Sequence, residues 1–162
     1  MKQILSFTLN GSEVDVIVTP TETLLDVLRE KLGVTGPKRG CDDGDCGTCT
    51  VLIDGDPVRS CLTIALTVQG KSVLTVEGLS ADGDLHPLQQ AFYEHGAFQC
   101  GFCTPGMLMS AKALLDSNPN PSRDEIRIYM SGNLCRCGGY EEVVEAIQAV
   151  AAGEYVPTGD KE

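Results

Sequence analysis

Residues 38–50, KRGCDDGDCGTCT, decide how the rest of the chain is read. They set Cys41, Cys46 and Cys49 in a C-x4-C-x2-C spacing, and Cys61 follows. Four thiolates at this spacing hold a two-iron, two-sulfur cluster. Gly40, Gly44 and Gly47 lack a Cβ, so the loop can take positive φ and press its backbone against an inorganic group. Backbone N–H groups then point at the sulfurs and help set the reduction potential. A structural zinc site is the alternative. Zinc favours paired C-x2-4-C arms, whereas one arm here carries three cysteines.

The chain has 162 residues, enough for one ordinary domain or two small ones. A chain of this length buries about 70% of its unfolded surface, so it folds without staples. The start, MKQILSFTLNG, alternates apolar and polar residues and does not read as a signal peptide. No stretch approaches the roughly 20 apolar residues of a membrane span. The expectation is a cytoplasmic protein whose eight cysteines do metal or redox work rather than form disulfides. A net charge of −11 without a basic patch argues against nucleic acid and against an anionic membrane surface. Its plain meaning is solubility.

Upstream of the loop, residues 3–9 and 14–18 read as strands around Asn10-Gly11, a strong hairpin signal. Thr23 to Leu32 reads as a helix with Leu24, Leu28 and Leu32 on one face, closed by Gly33. Downstream, residues 51–53 and 58–60 flank Asp54-Gly55, a second hairpin that carries Cys61 back toward the loop. A short apolar segment and a strand over 71–76 follow. Two hairpins and a helix predict a small mixed sheet, an α+β pattern.

The composition changes near Gly78, and a domain boundary is expected there, in a turn-rich stretch. The remainder reads as four short amphipathic helices, which suggests a small bundle. The first has Leu85, Leu88 and Phe92 on its apolar face. The second has Thr104 as N-cap and Pro105 at N1, with Met107, Leu108, Ala111, Leu114 and Leu115 buried. The third opens on an S-x-x-E box, Ser122 to Glu125, carries Ile126, Tyr129 and Met130 inward, and ends at Gly132. The fourth begins near Glu141 and turns Val144, Ile147 and Ala151 inward. From Gly153 the tail is polar.

Cys100 and Cys103 form a C-x2-C pair, and Cys135 and Cys137 a C-x-C pair. Each pair precedes a predicted helix. If the two helix starts converge, their positive ends face four thiolates and stabilise an anionic iron–sulfur centre. Arg136 adds a positive charge between two of them. An all-thiolate zinc site remains the alternative. His86 and His95 follow no ligand pattern and read as helix-surface residues. No Ser/His/Asp grouping, dinucleotide fingerprint or phosphate loop is visible.

KRGCDDGDCGTCT, QCGFCTPG and GNLCRCGGY, in this order, resemble the signatures of the iron–sulfur component of the xanthine oxidase family of molybdenum hydroxylases. The resemblance runs from about Ile4 to about Ala151. It implies an N-terminal β-grasp ferredoxin-like domain over 1–78 and a C-terminal four-helix-bundle 2Fe-2S domain over 79–162. Cys41, Cys46, Cys49 and Cys61 match the ligands of the cluster nearer the flavin. Cys100, Cys103, Cys135 and Cys137 match those of the cluster nearer the molybdenum. Gln99 matches a glutamine that hydrogen-bonds the pyranopterin, and Cys137 the ligand whose sulfur also contacts it. Gly138 departs from the family, which usually has Thr there.

The resemblance further implies a large molybdopterin-binding subunit and a medium FAD-binding subunit as partners, in a heterotrimer or a dimer of heterotrimers. The chain is too short to carry those groups itself. Its expected role is electron transfer through two 2Fe-2S clusters, between molybdopterin and FAD, with no substrate site of its own. A free-standing two-cluster ferredoxin is the alternative.

Overall fold

The computed structural model describes residues 1–80 and 83–156. Part of the turn-rich stretch, residues 81 and 82, and the tail over 157–162 lie outside them. Strands β1 (Gln3–Leu9) and β2 (Ser12–Val18) pair antiparallel, with Leu5 opposite Val16 and Phe7 opposite Val14. Asn10 and Gly11 join them at φ 49° and 83°, the two positive angles of a type I′ turn. Leu5, Phe7 and Leu9 are buried, while Ile4 and Ile17 face each other on the outer surface.

Thr23 caps the next helix in both directions. Its hydroxyl accepts from the Asp26 amide, and the Asp26 carboxylate accepts from the Thr23 amide. Only α1 (Leu24–Asp26) is α-helical, however, and Val27–Lys31 widen into a π turn. The Leu32 amide reaches back to the Val27 carbonyl, and the Val34 amide to that of Leu28. The wider turn rotates Leu32 off the expected face. Leu24, Leu25, Val27 and Leu28 are fully buried, whereas Leu32 is only half-buried.

Strands β3 (Thr50–Ile53) and β4 (Asp56–Arg59) make the second hairpin, with Asp54 and Gly55 again at positive φ. The apolar segment after Cys61 forms a 3-10 turn over Ala65–Val68. Strand β5 (Ser72–Leu74) then inserts between the hairpins, parallel to β1 and antiparallel to β3. The result is a five-stranded mixed sheet in the order β2-β1-β5-β3-β4.

Four helices follow: α2 (Pro87–Glu94), α3 (Thr104–Ser117), α4 (Arg123–Met130) and α5 (Tyr140–Ala151). Three expectations about them need correction. Leu85 lies ahead of α2 and is exposed, because His86 caps that helix through Nδ1, which accepts from the Leu88 amide. Cys103, not Thr104, occupies the N-cap of α3, and the buried Thr104 hydroxyl has no hydrogen-bond partner. Tyr129 turns away from the core, and partial burial, then the carboxylate of Asp56, raises its phenol pKa. The inward face of α4 holds Ile126 and Met130. The Ser122–Glu125 capping box forms as expected.

The sheet and the helices have separate hydrophobic cores, but Leu52 of β3 belongs to the helical one. Helix α3 lies directly on the cysteine loop. A Cβ on Gly106 would collide with the Gly47 carbonyl oxygen and stand 3.1 Å from Thr48 Cα. Among the described residues no helix is long and apolar enough to cross a membrane. Gly106→Ala must push α3 off the loop, at a cost of about 1–3 kcal/mol for an overpacked contact. The expected outcome is a lower melting midpoint in thermal unfolding, and an unchanged midpoint would show that the contact tolerates widening.

Candidate metal centres

The first cysteine loop is shaped by its glycines and one aspartate. Asp42, Gly44 and Gly47 take φ of 64°, 92° and 74°. At Gly40 a Cβ would lie 2.7 Å from Cys46 Sγ, so a side chain there would displace the sulfur. The Cys46 amide donates to Cys41 Sγ at 3.3 Å. Cys49 and Cys61 are buried against Leu25. Burial, then the adjacent Cys49 sulfur, pushes the Cys61 thiol up to about 12. Cys46 moves the other way. Burial opposes its ionisation, but the Thr48 hydroxyl at 3.2 Å, the Thr48 amide and Cys41 outweigh it.

Three cysteines of the second set, Cys100, Cys103 and Cys135, line a cleft of about 340 Å³ with Phe102, Arg136 and Tyr140, and Cys137 lies outside its lining. Gly40, Cys46 and Thr48 line it as well, from the first loop. The starts of α3 and α5 therefore do converge. Burial, then the neighbouring Cys135, pushes the Cys103 thiol up to about 12. At Cys135 burial is outweighed by the Gly139 amide, by Cys103, and by the amides of Cys137 and Gly138. Such a nest of N–H groups favours an anionic sulfur. Gly138, the departure from the family pattern, stands at φ 83° and contributes through its backbone. Cys100 and Cys137 are exposed. Gln99 donates its carboxamide to the Cys137 carbonyl at 3.4 Å, so the two residues matched to pterin contacts are neighbours.

Within the first set Cys46 feels Cys41, and Cys61 feels both Cys49 and Cys41; within the second Cys103 feels both Cys135 and Cys100. Among the described residues, no three His, Cys, Asp or Glu side chains are close enough together to grip a single ion.

Three residues escaped sequence reasoning. The Tyr140 hydroxyl accepts from the Cys135 amide at 2.9 Å, and its signal is an aromatic directly after Gly138-Gly139. Arg59 donates to Thr50 Oγ1 at 2.9 Å and to the Gly132 carbonyl at 2.6 Å. Asn133 donates to the Gly47 carbonyl at 3.0 Å. The last two have no local signal, since the partners that join the halves are 73 and 86 residues away.

Comparison with known proteins gives a family for each half of the chain. Residues 7–75 match the family described as 2Fe-2S iron-sulfur cluster binding domain, and residues 75–148 the family described as [2Fe-2S] binding domain. The small FeS subunit of nicotinate dehydrogenase from Eubacterium barkeri is 48% identical over 147 residues, 91% of this chain and 94% of that one. The chain belongs to the iron–sulfur subunits of the xanthine oxidase family of molybdenum hydroxylases. The small subunit of nicotine 6-hydroxylase from Paenarthrobacter nicotinovorans is 55% identical over 85% of this iron–sulfur subunit and 83% of its own length. The crystal structure of quinoline 2-oxidoreductase from Pseudomonas putida 86 superposes with a TM-score of 0.91 at 53% identity, over 94% of each chain. The aldehyde oxidoreductase of Desulfovibrio desulfuricans ATCC 27774 matches at a TM-score of 0.89 and 46% identity, and there the match spans only 17% of a longer chain.

The approach to the first loop is fixed by charge. Arg39 donates to Asp26 at 2.5 Å and to Asp42 at 2.6 Å. Burial works to raise the Asp26 carboxyl, but the Thr23 hydroxyl and amide and the Arg39 guanidinium hold it below its ordinary value of 3.8. A depressed folded-state pKa stabilises the fold above the unfolded value and loses that contribution as pH falls through the folded one. Asp26→Asn should therefore melt below the wild-type protein at neutral pH, and the gap should close below pH 3.8. Melting midpoints between neutral and acid pH check this.

Proposed function

We propose that this chain is the electron-transfer subunit of a multi-subunit molybdenum hydroxylase. It holds one 2Fe-2S cluster at Cys41, Cys46, Cys49 and Cys61, and a second at Cys100, Cys103, Cys135 and Cys137. The two sites divide between a ferredoxin-like domain over 1–78 and a four-helix-bundle domain over 79–162. The donor chemistry fits: the eight cysteines are unbridged and fall into two sets of four, as two clusters with four thiolates each require. When bound, the clusters supply one-electron oxidation and reduction, which suits a relay between molybdopterin and FAD on partner subunits.

The chain's own residues orient, exclude water and set electrostatics. Leu25 closes Cys49 and Cys61 off from solvent. The amides around Gly138 and the hydroxyl of Thr48 favour the charged sulfurs they face. One observation carries the relay reading above the others. The Leu134 amide donates to the Cys46 carbonyl at 2.9 Å, so a ligand of the first site is one hydrogen bond and one residue from Cys135 of the second.

Gln99 and Cys137, side by side at the surface, face the large molybdopterin-binding subunit. Phe98, Phe102, Leu134 and Tyr140 are all more than 40% exposed near them. An apolar rim of this kind favours a docked subunit over a free-standing ferredoxin. The first loop then faces a medium, FAD-binding subunit. Substrate selection belongs to the molybdenum-bearing partner.

Cys103→Ser, purified with its partner subunits, tests the ligand assignment. Wild type should hold about four irons per chain and the variant about two, by the rule of two irons to four thiolates. The variant should also lose the paramagnetic signal of one centre and most of its turnover. Full iron with full turnover, or zinc in a colourless wild-type protein, would overturn the proposal.

A further inference from the structure

The two cysteine sets meet through a buried polar joint that their ligand chemistry does not require. Cys46 and Gly47 present consecutive carbonyls to the helical half of the molecule. The Leu134 amide takes the first at 2.9 Å, and the Asn133 carboxamide takes the second at 3.0 Å. Asn133 is 3% exposed. Its other end is also fixed: Asn133 Oδ1 accepts from the hydroxyl of Ser110, itself 3% exposed, at 2.7 Å. Its backbone amide closes on the Met130 carbonyl at the end of α4. The contact is too close for any side chain at Gly47, where a Cβ would run into the Gly132 carbonyl and lie 2.8 Å from Asn133 Nδ2.

A buried carboxamide satisfied at both ends has one low-energy orientation. Turned over, it would set its oxygen against the Gly47 carbonyl and its nitrogen against Ser110. Asn133 therefore holds the Cys46–Gly47 peptide in register with the Asn133–Leu134 peptide. That register keeps the Cys46 carbonyl on the Leu134 amide, one residue before Cys135.

We propose that Asn133 is a positioning residue for electron transfer: oriented by Ser110, it holds Cys46 of one site against Leu134–Cys135 of the other and thereby sets the coupling between the two centres. This rests on the two-cluster reading above. Asn133 has no hydrogen bond to a cysteine sulfur, so its effect falls on the junction and not on ligation. Transfer across the junction moves one electron from the reduced centre to the oxidised one, with no bond made or broken and no proton displaced.

Two variants test this in the intact complex with its partner subunits. Asn133→Asp keeps the shape but replaces the donor facing the Gly47 carbonyl with an acceptor. Ser110→Ala keeps the carboxamide but frees it to rotate. Both should retain the iron of the wild type and the individual signals of both centres. The magnetic splitting between the two reduced centres should weaken, and transfer from one centre to the other should slow several-fold, more in Asn133→Asp than in Ser110→Ala. Full iron with unchanged splitting and an unchanged transfer rate in both variants would overturn the proposal. Loss of iron in both would also overturn it, by making Asn133 a residue needed only for folding or ligation. A wild-type complex without two iron–sulfur signals would instead refute the two-cluster reading, so the two failures are distinguishable.

Discussion

The turn of the Cys46–Gly47 peptide toward the helices is the constraint on which the rest of the structure depends. The Cys46 and Gly47 carbonyls both take a donor from the helical half, Gly47 in addition to the amide and hydroxyl of Thr50 in its own half. A buried carbonyl left without one costs about 1–3 kcal/mol. The helical half must therefore bring the Leu134 amide to the Cys46 carbonyl, while Asn133 adds to the amide and hydroxyl of Thr50 that already serve the Gly47 carbonyl. It must also arrive close, which is why α3 presents Gly106 and the loop presents Gly47. Arg59 adds a third tie, reaching from β4 to the Gly132 carbonyl. The two halves keep separate cores, yet the polar joint between them allows little play.

The cysteines of each set differ in their electrostatic setting. Each set contains a thiol driven up by burial and a neighbouring sulfur, Cys61 and Cys103, beside one held down by hydroxyl or amide donors, Cys46 and Cys135. The two sulfurs with lowered pKa belong to the residues at the joint itself, since Cys46 carries one of its carbonyls and Cys135 follows Leu134.

Much of this was legible in the sequence because it is local. Cysteine spacing, the Asn10-Gly11 and Asp54-Gly55 turns, and the Ser122–Glu125 box each depend on a few adjacent residues, and both turns and the box formed where the pattern put them. Readings that depended on helical phase fared less well. A π turn moved Leu32, Tyr129 points out of the core although α4 runs through it, and capping by His86 left Leu85 outside its helix. Thr104 had the chemistry of a cap but not the position, because the C-x2-C turn already fixes Cys103 at the helix start. Asn133, Arg59 and Ser110 were silent for a different reason. A buried asparagine or arginine looks like a surface one until the distant segment that satisfies it has folded against it.

The unequal exposure of the cysteines bears on how the protein is built. Cys49 and Cys61 are sealed beneath Leu25, at 2% and 5% exposure, and little can reach them while the sheet half is closed. Cys100 and Cys137 stand open on the finished surface. On the two-cluster reading, the iron held by Cys49 and Cys61 is placed before or as the sheet half closes over them, while Cys41 and Cys46 of that first site stay half-exposed. The second can be loaded afterwards, on a folded chain, until a partner covers its rim. Biogenesis then has a built-in sequence: inner site, closure, outer site, docking.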